Sequence, residues 1–178
     1  MRSRHIAGLL VVAAALFPFS ALTAQSRPIE LGTDLGVAFD FAGGETMTTV
    51  SLPTAVLRVG FWMNDRISIE PNVNFTWVHI DGGSSTNVNG ALALLYHFKT
   101  DVTRTRPYIT VFPGINHFDS GFGDATQFFA GGGLGVLVPM QERLAFRAEA
   151  LYSHNFESDD VGGFDEVAAR FGFSFFTH

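Results

Sequence analysis

Three sets of side chains in the 178-residue sequence have types and spacings that could do chemistry. A hydroxyl lies beside an imidazole at Ser153-His154, and near one again at His117 and Ser120. With a carboxylate to orient the imidazole, such groups make a hydrolytic nucleophile. Glu45, Asp81, Asp119, Asp124, Glu157, Asp159 and Asp160 fall in segments without Lys or Arg, and hard cations prefer such oxygen ligands. The third set is Glu30, Asp34, Arg58, Glu70, Arg147, Glu149 and Arg170, charges scattered through otherwise apolar stretches. Together they could form an ion-pair network or line a path for small ions or solutes.

What these residues can do depends on the elements that hold them. From Glu30 onward apolar residues alternate with small or charged ones, the pattern of strands with two chemically different faces. The first segment sets Leu31, Thr33, Leu35, Val37, Phe39 and Phe41 against Glu30, Gly32, Asp34, Gly36, Ala38 and Asp40. Seven further segments repeat the alternation, around Leu57, Val73, Leu92, Ile109, Leu134, Phe146 and Phe171. No helical period follows the N-terminus. Tight or basic turns at Asn64-Asp65-Arg66, 99–106 and Gln141-Glu142-Arg143 alternate with Gly-, Ser- and acid-rich links at 42–48, 81–86, 117–126 and 155–164. This predicts an all-β fold, an eight-stranded antiparallel up-and-down barrel with both termini at the turn end.

The start of the chain is a different kind of segment. Arg2 and Arg4 precede an apolar run of 12 residues, Ile6 to Phe17, and then Ser20-Ala21-Leu22-Thr23-Ala24, the layout of a secretory signal peptide over residues 1–24. The run is too short for a membrane-spanning helix, which needs about 20 residues. The barrel is then assigned to residues 25–178. Losing two arginines with the leader moves the formal charge from −6 to −8, which argues against a nucleic-acid partner. Cysteine is absent, so neither disulfides nor thiol chemistry can contribute.

Alternation alone does not say which face meets water, and a soluble calyx with its apolar face inward is the competing architecture. Lys99 is the one lysine, and no Arg lies on the apolar face, so a soluble barrel would lack a charged exterior. The other face is mostly Gly, Ala and Ser with a few long charged side chains, as suits the crowded interior of an eight-stranded barrel. Phe61, Trp77, Tyr96, Phe98, Phe146 and Tyr152 lie on the apolar face, several near strand ends, as an interfacial aromatic girdle requires. The expected architecture is therefore a transmembrane β-barrel in the outer membrane, with lipid outside and the seven charges in the bore.

Buried charges need partners. A hairpin centred on Gln141 puts Gly135 opposite Arg147 and Gly133 opposite Glu149, the glycines leaving room for long side chains. Arg58 falls opposite or diagonal to Glu70, and closure of strand eight onto strand one brings Arg170 near Glu30 and Asp34. Pro71 and Pro113 supply no ladder N–H, so bulges are expected at both. Ser153 and His154, being adjacent in a strand, point to opposite faces and make a poor catalytic pair.

At Glu70-Pro71-Asn72-Val73, Arg106-Pro107-Tyr108-Ile109 with Pro113-Gly114, Gly131-Gly132-Gly133-Leu134-Gly135, and Arg143-Leu144-Ala145-Phe146-Arg147-Ala148-Glu149, the chain resembles the outer-membrane protein β-barrel domain family. The likeness extends over nearly all of residues 30–176 and is similar to the transmembrane domain of outer-membrane protein A. Arg170, Gly172 and Phe175 resemble the family's C-terminal assembly signal, although Thr177 and His178 follow where an aromatic commonly ends the chain. The resemblance implies outer-membrane residence, lipids and the barrel-assembly machinery as partners, and no specific substrate. Barrel-type lipid A deacylases carry His and Ser two apart on one face, whereas Phe156 stands two after His154. The expectation is a monomeric, non-enzymatic barrel without metal or cofactor, in a structural, adhesive or surface-interacting role. A narrow channel and an outer-membrane lipid hydrolase are the alternatives.

Overall fold

The computed structural model describes residues 28–41, 56–80, 83–120, 123–158 and 162–177. The expected leader and its cleavage point, Ala55 at the start of the apolar face expected of the second strand, and the loop acids Glu45, Asp81, Asp159 and Asp160 lie outside the described residues. The strands are β1 (Ile29–Phe41), β2 (Val56–Trp62), β3 (Ile67–Ile80), β4 (Gly83–His97), β5 (Arg106–Ser120), β6 (Gly123–Gln141), β7 (Leu144–Asn155) and β8 (Phe164–Phe176). Each pairs antiparallel with its sequence neighbours, and β8 closes on β1, from Glu30 opposite Phe176 to Phe41 opposite Asp165. The expected barrel and its eight strands are both present.

Because successive side chains leave a strand on opposite faces, the period-two pattern becomes an inside and an outside. Leu95 and Leu137 are 0% exposed while Leu35 and Leu134 are 65% and 64% exposed, so leucines of one strand type serve two environments. Outward Leu, Val, Ile and Phe side chains recur on the strands all round the wall. A continuous apolar exterior of that extent marks a surface that meets hydrocarbon rather than water.

Neither proline carries the expected bulge. Pairing of β2 with β3 holds at Arg58–Asn72 and resumes in the same register at Phe61–Ile69, while the other edge of Pro71 faces Leu92 within an unbroken ladder. Pro113 behaves alike, with a gap between Ala91–Gly114 and Leu94–Val111 on one side and continuous pairing to Ala130 on the other. Each proline withholds one N–H from one neighbour; nothing need be inserted into the strand to accommodate that. The irregularity lies at Met140, the extra residue between Pro139–Ala145 and Gln141–Leu144.

The predicted β6–β7 register is corrected mainly by the position of the turn, which lies beyond Gln141; the bulge takes back one residue of the difference. The β6–β7 hairpin turns at Glu142-Arg143, and beyond Met140 Gly135 faces Glu149 and Leu137 faces Arg147. Gly133 stands opposite Leu151, not Glu149.

Candidate functional site: a sealed, charged bore

Inward side chains along β5 run, from the turn end, Arg106, Tyr108, Thr110, Phe112 and Gly114. They order the bore into successive tiers. Phe112 and Phe129 meet edge-to-face at 6.3 Å nearer the loop end. A β-carbon at Gly114 would meet the Phe129 ring and one at Gly131 the Phe112 ring, so these glycines are the space the two rings occupy.

Below the rings lies the ion-pair network. Arg58 donates from Nε to Asp34 at 2.7 Å, from Nη1 to Glu30 at 2.6 Å, and from Nη2 to Ser174 Oγ at 2.9 Å and the Phe173 carbonyl at 3.3 Å. Arg147 donates to Glu70 at 2.8 Å and to Glu149 at 2.7 Å, and its Nη1 lies 3.6 Å from Glu30. The Tyr108 hydroxyl donates to Glu149 at 2.8 Å, and its ring packs 5.0 Å from the Arg147 guanidinium. Glu30, Asp34, Arg58, Glu70, Arg147 and Glu149 are all buried. In a closed, low-dielectric interior such charges are tolerable only when paired and hydrogen-bonded, as nearly all these donors are. Glu30 Oε2 and Arg147 Nε remain without partners.

The structure brings six of the seven predicted charges into direct contact, but not in the pairs expected. Arg58 is only 4.0 Å from Glu70 and binds the β1 carboxylates instead. Arg147 reaches Glu70 across the bore. Arg170 stands opposite Gly36 and Glu149 in the sheet and makes no ion pair with Glu30 or Asp34, because Arg58 holds both. Tyr108, His97 and Arg106 complete the interior: alternation puts His97 and Tyr108 on the small and polar face, whereas Arg106 falls in the basic turn expected at 99–106. Parity held the signal: Arg106 and Tyr108 share the inward positions of β5, and His97 those of β4.

Gly135 supplies the space for Tyr108, since a β-carbon there would meet its Cζ and hydroxyl. Gly135→Val should therefore cost about 1–3 kcal/mol, the usual range for overpacking. A urea midpoint unchanged from wild type in lipid vesicles would show that the ring has room to move.

Between the rings and the ion pairs little space is left. A cavity of about 20 Å³, room for about one water, lies among Asp34, Asn72, Thr110, Phe112, Arg147 and Arg170.

The candidate hydrolytic residues are separated as alternation requires. Ser153 is buried and His154 exposed. On the outer wall His154 Nδ1 lies 2.8 Å from Asp165 Oδ1, the Tyr152 hydroxyl donates to the same oxygen at 2.8 Å, and the Phe156 ring stands edge-on to His154 at 5.0 Å. His117 Nδ1 meets Thr126 Oγ1 at 2.9 Å, and the side chain of Ser120 lies outside the described residues. Asp119 and Asp124 face each other at the loop end of β5 and β6.

The sequence pattern of the outer membrane protein beta-barrel domain matches residues 9–175. The chain belongs to this family. Solved barrels share the fold at low identity. Neisserial surface protein A is 14% identical with a TM-score of 0.63, over 83% of this chain and 96% of that one. A major outer membrane protein from Thermus thermophilus is 12% identical with a TM-score of 0.55, over 86% of this chain and 100% of that one. The N-terminal β-barrel domain of Pseudomonas aeruginosa OprF is 16% identical with a TM-score of 0.51, over 82% and 97%. No curated protein matches the sequence.

The outer wall of this outer-membrane barrel carries aromatics toward both ends. Near the turn end Tyr96 packs edge-on to Phe98 at 5.6 Å and meets Arg66 Nη1 at 3.3 Å, and Phe146 lies against Phe171 and Phe173. Phe61 is half-buried at the turn end of β2. Tyr152, Phe41, Phe118 and Phe156 are exposed toward the loop end. The last three extend the predicted set, while the side chain of Trp77 lies outside the described residues.

Proposed function

We propose that this outer-membrane barrel is a closed, non-enzymatic wall element that works through its loop end, in a structural, adhesive or surface-interacting role. The observation that carries this reading is the blocked bore: salt bridges and the Phe112–Phe129 pair leave a cavity of about 20 Å³ between them. Eight-stranded interiors are just wide enough to be filled by side chains. An export leader, lipids around the apolar wall, aromatics at the membrane interfaces, insertion by the barrel-assembly machinery and a monomeric state belong to the same reading.

Strand length supports work at the loop end. β5 and β6 have 15 and 19 residues, against about 9–11 for a tilted strand that crosses the hydrocarbon. The excess lifts a polar hairpin, with His117, Asp119, Asp124 and Thr126 on it, beyond the apolar band. The outer-wall imidazole of His154 has an acid but Phe156 where a same-face serine would stand, which disfavours lipid hydrolysis.

Planar-bilayer recording tests the closed bore. The purified barrel should show no sustained conductance, and Arg147→Ala should destabilise it without producing graded, steady channels. Steady wild-type conductance that changes with Arg147→Ala would establish the passive channel instead.

A further inference from the structure

At the turn end, outside the network, a vestibule of about 250 Å³ opens between β2, β5, β6 and the C-terminal end of β8. Arg106, 5% exposed, and Trp62, 8% exposed, line its inner end, and Arg106 Nε and Trp62 Nε1, both enclosed by protein atoms, have no acceptor. The Arg106 guanidinium lies 4.7 Å from the Trp62 ring centroid and 5.8 Å from that of Phe176, so aromatic faces hold it in place. No carboxylate among the described residues forms an ion pair with it. The buried network carries four carboxylates, Glu30, Asp34, Glu70 and Glu149, against Arg58 and Arg147. That surplus offsets part of the Arg106 charge at a distance and supplies no hydrogen-bond acceptor to either donor.

We infer that this vestibule binds a small carboxylate with an apolar body, entering from the side that the short turns face, which in this family of folds is the periplasm. A buried guanidinium without a carboxylate partner is costly and favours an anionic oxygen beside it. The walls, Val102, Pro139, Leu144 and Phe176, are apolar and suit a hydrocarbon or aromatic body. The exposed rim carries Asp65 and Glu142 beside Arg143, which disfavours a multiply charged anion such as inorganic phosphate. Pockets for drug-sized ligands span about 300–1,000 Å³, so the occupant is smaller than that.

Benzoate is a suitable probe, read by the indole N–H resonance of Trp62 in the ¹⁵N-labelled full barrel in micelles. Benzoate should shift that resonance saturably and leave the Trp77 indole unmoved, with inorganic phosphate about tenfold weaker, a difference of about 1.4 kcal/mol. Arg106→Gln should weaken benzoate by about tenfold and Arg106→Lys by less. Val102 is 64% exposed in the turn between β4 and β5, and Val102→Asp should weaken benzoate several-fold through like-charge repulsion. Heat-modifiable gel mobility confirms that each variant is folded. The inference is overturned if the Trp62 resonance does not move, if Trp77 responds equally, if phosphate matches benzoate, or if Arg106→Gln and Val102→Asp both bind as wild type.

Discussion

Arg58→Ala should lower the unfolding free energy of the barrel by about 3–5 kcal/mol, the range for removing one partner of a buried ion pair. The size follows from what the substitution leaves behind. Glu30 and Asp34 keep their burial and lose the guanidinium that donates to both. Ser174 Oγ and the Phe173 carbonyl lose a donor at the same time. Gly32 would then border an empty space, because a β-carbon on it would sit within the Arg58 guanidinium. Reversible urea unfolding in phospholipid vesicles measures the loss. Adding Asp34→Ala to Arg58→Ala should recover part of it, since one stranded carboxylate goes with its partner and contacting residues do not act additively. A loss below about 1 kcal/mol for Arg58→Ala would mean that the bore is wet and the charges are solvated.

Leu92→Arg should cost about 2–4 kcal/mol, whereas Phe98→Arg should cost about 0–1, because charge on a barrel's lipid face is most expensive at the bilayer midplane. Leu92 is 52% exposed on the outer wall of β4, beside Pro71 and away from both strand ends. Phe98 follows the last residue of β4, at the turn end and next to Lys99. The same unfolding assay gives both numbers. Equal and negligible costs at the two positions would mean that water covers the apolar band, as it would on a soluble barrel.

The strands and their two faces were legible because alternation is a local signal. Leu31 to Phe41 shows it within a dozen residues, and the same parity sorted the buried charges from the outward leucines. Closure followed from an even number of segments and from short turns that recur at one end. Which charge meets which was not legible, for two physical reasons. The β6–β7 turn lies at Glu142-Arg143 rather than at Gln141, and the extra residue Met140 offsets one position of that displacement, so Gly135 faces Glu149 instead of Arg147. The interior is also narrow enough for Arg147 on β7 to grasp Glu70 on β3 directly, and no reasoning from adjacent strands reaches that contact. Arg106 looked like part of a basic turn because Lys99 and Arg104 precede it, yet its parity with Tyr108 places it inside.

Arg58 sits on the second strand and holds side chains of the first and the last, so a single guanidinium stitches the seam where the meander meets its own beginning. Its bonds to Glu30 and Asp34 need only β1 and β2, whereas those to Ser174 and Phe173 wait for closure. Until β8 arrives, Arg58 lacks two of its acceptors and the seam stays unfastened, which makes a half-built wall an energetically poor resting state. The chain's interior chemistry thus rewards closure, because an open sheet leaves the Arg58 guanidinium short of partners.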